Sequence, residues 1–489
     1  SIKGSIWSYL GVAIGFVTTA YLFPNYLNPD VIGLFGLLMA WSPLFAQFSS
    51  LGFHGVTARL FPYFRDKERG HNGFLFIALM VMLCGFALFL LAFFILKPWL
   101  VESNLEKSQL FANYVDLLIP LVFFTLLFSF FDIFNKLLYD AVFGTFLTEF
   151  LQRLLILIAV LLLVFGWISL HSLILAYAGV VSAKGLIMFF YLLAKGELDF
   201  RPQLHFINKK LKKEMINVAL YSILAGIGGN IVFNIDKIIV NQMLGLSATG
   251  IYTIAFYFGT LVVIPSRPLL RITGTLIADA WKRNDVDHII KIYRKSCLNQ
   301  FIIAAFLFGG IWVNIDNILT ILGPEYDGGK WVIFFIGLGF LIDMATGANG
   351  QIIAYSKYYR IGLWFLAILI IFVFSFMYLF IPVWGITGAA MAITLSFLVN
   401  NIIRFIFLKV KFNMQPFSTR FFIVIFAFLV AYFLGTFIPQ LPLVWDILAK
   451  GSIFAIVFLL IIIGFNVSSD LTETIKSIYA DIVKILKMK

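Results

Sequence analysis

Residues 74–96 read FLFIALMVMLCGFALFLLAFFIL, twenty-three in a row without a charge or a proline. Wound as a helix at about 1.5 Å per residue, this stretch is roughly 35 Å long and crosses the ~30 Å hydrocarbon core of a bilayer. No water reaches the backbone there, so a spanning segment satisfies its own amides, either as a helix or within a closed barrel. The apolar residues are continuous instead of alternating, which excludes barrel strands. The rest of the chain repeats the pattern. Of its 489 residues, 62% are hydrophobic and 12% are charged, against about 25% charged in a soluble domain. That balance excludes a soluble enzyme, a disordered protein and a disulfide scaffold. The expected fold class is all-α, a polytopic membrane protein.

Apolar runs of spanning length fall at 5–23, 31–60, 74–96, 114–134, 150–167 and 172–194 in the first half. In the second half they fall at 215–244, 250–280, 298–318, 331–355, 362–381, 385–408, 421–437 and 445–465. About fourteen spans place both termini on one side. The first run has no small-residue cleavage site, so it reads as a span and not as a cleavable leader. Loop charge decides which side is which. Arg65–Arg69, Lys209–Lys213, the group Lys282, Arg283, Lys291, Arg294 and Lys295, the pair Lys357 and Arg360, and Lys409, Lys411 and Arg420 all follow even-numbered spans. The opposite side carries chiefly Lys97, Lys107 and Lys330. Cytoplasmic loops collect Lys and Arg, so both termini are expected in the cytoplasm.

The net charge of +12 is therefore a membrane signature. No basic, aromatic loop is long enough to hold nucleic acid, and no nucleic-acid partner is expected. Cys84 and Cys297 lie far apart, in or beside apolar runs, implying neither a bridge nor a metal site. In the tail, Ile475, Ile478, Tyr479, Ile482 and Leu486 fall at helical spacing, with Lys476, Lys484 and Lys487 off that stripe. This reads as a basic amphipathic helix on the inner leaflet or as a solvated tail.

The halves repeat at a shift of 217 positions, which lays Asp30–Phe35 on Ser247–Tyr252 and Tyr63–Asp66 on Ala280–Arg283. Six spans separate the two units, so the repeat is parallel, with its pseudo-axis along the membrane normal. The expected organisation is an N-terminal lobe at 1–200, a basic inter-lobe segment at 201–214 and a C-terminal lobe at 215–412. Two further spans at 413–466 and a tail at 467–489 complete the chain. Two lobes facing each other across a cavity suit alternating access.

The stretch Asn234-Ile235-Asp236-Lys237-Ile238-Ile239-Val240, followed by Leu244–Ala255, is similar to the seventh-helix signature of bacterial polysaccharide flippases. Gly4–Tyr9 and Asn28–Gly33 are of the same type. Together with the fourteen spans and the basic inter-lobe segment, these residues resemble the multidrug/oligosaccharidyl-lipid/polysaccharide exporter superfamily, in its polysaccharide transporter and O-antigen flippase branch. The resemblance implies translocation of undecaprenyl-diphosphate-linked glycans across the bacterial inner membrane. It also implies membrane lipids as surroundings, glycosyltransferases or a glycan polymerase as partners, and a monomer. No cofactor is expected; a coupling ion, Na+ or H+, stays open.

Charges inside the spans are costly and need a partner, a wet cavity or a function. Glu149 and Arg153, four apart, can neutralise each other, and Asp132, Lys136 and Asp140 form a ladder of the same step. Arg59 and Asp279 lie near helix ends, where they can snorkel, although a cavity mouth would use Arg59 equally well. Arg267 and Arg271 also share a helix face, but as like charges they repel. Arg267 lies about 25 Å into its span, between Pro265 and Pro268, which allow a kink. A diphosphate matches the guanidinium fork. The competing reading pairs these arginines with Asp343, about 18 Å into the tenth span. Lys184 is a second cavity candidate, with no acid at helical spacing. Lys237 is a further candidate cation, and Asp236 and Asp343 are candidate ion-coupling or pairing acids. Asp236 and Lys237 are neighbours and so point apart. Gly226, Gly228, Gly229, Gly347 and Gly350 suit close helix packing or a hinge.

Two rival functions remain. A cation-coupled multidrug exporter of the same superfamily would line its site with carboxylates. A membrane glycan polymerase or ligase would need a large external loop, whereas 97–113 and 314–330 are short and the five histidines are scattered. No nucleotide-binding loop is present, so transport powered by ATP bound to this chain is not expected; the expected function is a transporter and not an enzyme.

Overall fold

The computed structural model describes residues 2–468 and 470. The tail helix expected beyond that point lies outside the described residues. Among these residues there are helices and turns and no strand. Thirteen helical segments are long and apolar enough to cross a membrane. One of them, Ile361–Phe412, is a pair. Gly385 adopts φ 55° and ψ −137°, and the Gly388 Cα lies against the Phe380 carbonyl, which a continuous helix would hold about 12 Å away. The chain turns back on itself there, giving the fourteen passes that the sequence implies.

The helices fall into two compact units, Ser1–Ile254 and Ala255–Lys489. The first contains α1 (Ile2–Phe16), α2 (Pro29–Ser49), α3 (Phe53–Phe64), α4 (Phe74–Glu102), α5 (Leu118–Leu137), α6 (Gln152–Val164), α7 (Leu170–Ala194), α8 (Lys209–Leu244) and the start of α9 (Leu246–Thr260). Its core stacks Phe61, Phe64, Phe74, Phe130, Phe131 and Phe134, all fully buried. α8 packs along α2 and α3. The second unit holds α10 (Ser266–Lys282), α11 (Val286–Val313), α12 (Lys330–Thr346), α13 (Asn349–Tyr355), the paired helix α14 (Ile361–Phe412), α15 (Thr419–Thr436) and α16 (Leu443–Gly464). Ile277, Tyr293, Cys297, Ile352, Val424 and Phe458 lie at its centre.

The sequence repeat is also structural: α2 begins at Pro29 and α9 at Leu246, 217 positions later. Three runs read as single helices are broken. The run 31–60 stops at Leu51 and Gly52, both left-handed, because a turn there needs positive φ. The run 250–280 passes through a 3-10 turn at Leu261–Val263 and resumes after Pro265, the break that its prolines predict. The run 331–355 breaks at Gly347, where a side chain would strike Gln300.

Two six-residue segments, Val17–Leu22 and Phe146–Leu151, are wound as π-helix. Beside the second, Arg153 donates to Glu149 at 2.7 Å and to the Gly11 carbonyl at 2.8 Å, as the i, i+4 spacing predicts for the acid. The neighbouring ladder is corrected in part. Lys136 bonds Asp132 at 2.5 Å, but α5 ends at Leu137, and the turn carries Asp140 off the helix face. Asp140 instead accepts from Tyr191 at 2.6 Å and Lys195 at 2.7 Å. Burial raises the Asp140 carboxyl, but the Lys195 and Tyr191 hydrogen bonds outweigh it and hold the group below the usual carboxylate range.

Two tests follow from this packing. A β-branched residue is strained at the φ and ψ of Gly385 by about 1–3 kcal/mol. Gly385→Val should lower the melting temperature of the purified protein by several degrees, while Gly362→Ala, with open space around it, should leave it unchanged. The depressed Asp140 group adds stability above the ordinary carboxylate range and loses it as pH falls through its folded value. The melting temperature should therefore fall more steeply between about pH 6 and pH 3 in the parent than in Asp140→Asn. Equal slopes would deny the pair this role.

Candidate functional site

α10 starts immediately after Pro265 and carries Pro268 in its first turn, where the missing amide hydrogens cost little. Its buried face is Ser266, Thr273, Gly274, Ile277 and Ala280. Thr273 shares a hydrogen bond with Ser296 of α11 at 3.2 Å, and Gly274 lets Gln351 and Tyr355 of α13 approach to van der Waals contact. The opposite face is open and carries Arg267, Arg271, Thr275, Asp279 and Lys282, with Ile272 and Leu276 beside them. α10, at 17 residues, is not among the segments both long and apolar enough to span a bilayer.

Arg267 and Arg271 are both exposed, one turn and about 6 Å of helical rise apart. Neither side chain makes a hydrogen bond or an ion pair among the described residues. Two unpaired guanidinium groups are too costly in hydrocarbon, so this face belongs to water. It offers two forked donors with no internal acceptor, an arrangement that takes an anion.

Asp343 does not serve as their partner. Its Oδ1 accepts from Asn401 of α14 at 3.0 Å, and its nearest cation is Arg404 on the same helix as Asn401. Asn401 also accepts from Thr346 and Asn349, each at 2.9 Å, across the Gly347 break. Arg404 was not among the candidate residues, although it lies inside the apolar run 385–408, where a charge is the signal that marks it.

The other candidates lie in the first unit. Lys184 of α7 donates to Gln152 of α6 at 3.1 Å and stands over the Phe128 ring of α5 at 5.1 Å, with Asp132 as its nearby acid. Those three partners come from two other helices, α5 and α6, which is why spacing along α7 did not reveal them. Asp236 is buried and accepts from the Tyr252 hydroxyl at 2.9 Å; its neighbour Lys237 is half-buried. Arg59 lies exposed on α3. Among the described residues, no three His, Cys, Asp or Glu side chains gather as metal ligands. Two apolar cavities of about 270 and 350 Å³ in the second unit share Phe301 and Leu341 and suit hydrocarbon, not sugar or phosphate.

Residues 2–277, more than half of the chain, match the family model for polysaccharide biosynthesis proteins. The chain belongs to that family. The match takes in Arg59, Lys184, Asp236, Lys237, Arg267 and Arg271 and ends before Asp343 and Arg404. No protein of curated function matches the chain in sequence. Among solved structures, the lipid II flippase MurJ in an inward closed conformation is similar in fold. Its TM-score is 0.77 at 13% identity, over 95% of this chain and 99% of that one. A multidrug resistance MATE family transporter of the MOP superfamily, in an inward-facing conformation, superposes with a TM-score of 0.64. There the identity is 14%, over 83% of this chain and 98% of that one. The fold is the one those two membrane transporters share.

The two polar sites should separate in a stability measurement. Asn401→Ala removes three hydrogen bonds, to Asp343, Thr346 and Asn349, each worth about 0.5–1.5 kcal/mol, and should lower the melting temperature markedly. Arg271→Ala, on an open face, should not. A drop for Arg271→Ala as large as that for Asn401→Ala would mean that the α10 face is packed and not wet.

Proposed function

We propose that this chain is a flippase. It moves undecaprenyl-diphosphate-linked oligosaccharide from the inner to the outer leaflet of the bacterial inner membrane, for cell-surface polysaccharide such as the O-antigen of lipopolysaccharide. The observation that carries the reading is the pair of open, unpaired guanidinium groups of Arg267 and Arg271. A diphosphate brings two adjacent anionic groups, and each arginine fork binds phosphate oxygens through parallel N–H donors. Arg59 is proposed as a further contact. Lys184 and Lys237 are proposed to act less directly, through the helices that hold them.

In this scheme the lobes at 1–200 and 215–412 alternate about the headgroup while the lipid tail stays in the membrane. Both termini face the cytoplasm. Glycosyltransferases act before the step and a glycan polymerase after it, and the working unit is a monomer. The scheme requires no bound cofactor. The multidrug exporter reading needs open carboxylates, whereas Asp236 and Asp343 are already engaged by Tyr252 and Asn401. A polymerase reading has, among the described residues, no group of three His, Cys, Asp or Glu side chains that could hold a metal ion.

Arg267→Ala/Arg271→Ala should reduce delivery of the lipid-linked glycan to the outer face at least tenfold at unchanged expression. The double Lys variant, which keeps charge and loses the fork, should fall between the two. Delivery undiminished in the double Ala variant would remove the cargo assignment.

A further inference from the structure

We propose that the groove between α11, α12 and α14 holds one acyl chain of an anionic phospholipid, whose phosphate is met by Arg294 and Arg420 on the cation-rich side. The site lies wholly within the second unit, and the proposal is independent of the cargo.

The groove is built from helix faces. Leu398, Asn401, Ile402 and Phe405 step by three and four along α14 and so share one face. Leu341, Ile342, Ala345 and Thr346 form the opposing strip on α12. Phe301 of α11 and Phe417, in the connection before α15, complete a cavity of about 270 Å³. Its polar residues are engaged: Thr346 donates to Asn401 at 2.9 Å, and Asn401 donates to Asp343 at 3.0 Å. The surface left for a guest is hydrocarbon. Leu398 to Phe405 is about 10 Å of helical rise, within the roughly 15 Å that one leaflet contributes to the hydrocarbon core. Ile402 is 45% exposed and Phe417 is 40% exposed, so the groove is open and not a sealed core.

Charge meets the groove at Phe417. Its ring packs on Phe405 at 5.5 Å and on Phe421 at 5.3 Å, and Phe421 stacks on Phe301 at 5.1 Å. The connection is held in place by the buried Met414 and by Lys409, which donates to Asn413 at 2.8 Å. Arg294 of α11 donates through Nε to the Gln415 carbonyl at 3.2 Å, two residues before Phe417. Arg420, in the first turn of α15, donates through Nη1 to the Val467 carbonyl at 3.2 Å. Both arginines are exposed, and neither forms an ion pair among the described residues. Each is anchored by one N–H and keeps the rest of its fork free.

An excess of Lys and Arg on this side follows from membrane topology and alone names no ligand. Here two anchored guanidinium groups from two helices flank one wall of an apolar groove. A hydrocarbon chain that ends in a phosphate answers both features, and basic pockets between spanning helices take such headgroups. The acid beside Arg294, Asp470, is held by Lys295 at 2.6 Å, which leaves no free carboxylate there for a zwitterionic lipid's ammonium. The cargo is not the occupant chosen, because α10, with Arg267 and Arg271, contributes no residue to the groove.

Delipidated full-length protein is titrated with phosphatidylglycerol or phosphatidylcholine of identical chains, and bound lipid is counted by native mass spectrometry. One phosphatidylglycerol should bind at least tenfold more tightly than phosphatidylcholine. Arg294→Gln/Arg420→Gln should bring phosphatidylglycerol down to the phosphatidylcholine affinity. Ile402→Trp, which fills the groove from an exposed position, should weaken both lipids at least tenfold, and Leu398→Trp, one turn away, should do the same. Unchanged melting temperatures check that the variants fold. Equal affinities in the parent, a preference that survives the double Gln change, or binding untouched by both Trp variants overturns the proposal. Displacement of bound phosphatidylglycerol by undecaprenyl diphosphate also overturns it, by giving the groove to a polyprenyl chain.

Discussion

An ionised or strongly polar side chain inside hydrocarbon must find a partner or water, and this constraint organises the protein. Arg153 is tied to Glu149 and to the Gly11 carbonyl. Lys184 is tied to Gln152 and the Phe128 ring, Asp236 to Tyr252, and Asp343 to Asn401. Each set draws its members from different segments, so the polar groups also fix how apolar helices register against each other. Leu, Ile and Phe alone provide little such specificity in lipid, because the surrounding tails are as apolar as they are.

Close approach between helices is the second device. Gly11 lies against the Glu149 backbone, and Gly33 and Gly250 lie against the turns of each other's helices. Three spans are interrupted, at Leu51–Gly52, Leu261–Pro265 and Gly347. Each interruption frees backbone groups at membrane depth, which is tolerated where protein or water can satisfy them. Asn401 and Gln300 stand at the third break; the open face of α10 follows the second.

The span count, the helical class and the repeat were legible because they depend on local periodicity and on a strong compositional signal. The Glu149–Arg153 pair was legible because i, i+4 geometry lies within one helix. Partners from different helices were not: nothing in the sequence around Lys184 names Gln152, and nothing near Asp343 names Asn401. Asp140 shows how a helix end defeats periodicity, since two residues of turn were enough to redirect it to Lys195. The break at Gly347 was hidden because its glycine has two adequate readings, packing and bending, and only the neighbour Gln300 decides between them.

The open pair on α10 is the exception to this pairing, and its chemistry follows from being unpaired. Like charges one turn apart cost their helix about 0.2–0.5 kcal/mol, and an anion held across both lowers that energy. The nearest acid on the same face is Asp279, two turns beyond Arg271 and about 12 Å along the axis. Water and salt screen exposed charges over about 8 Å at physiological ionic strength, so Asp279 leaves the cation pair largely uncompensated. A small counter-ion would satisfy it only loosely. A polyanion with adjacent phosphates could satisfy both forks together, and its departure would restore the repulsion. The repulsion is small, so the empty pair stays folded, and an anion that relieves it gains a modest electrostatic preference for this face.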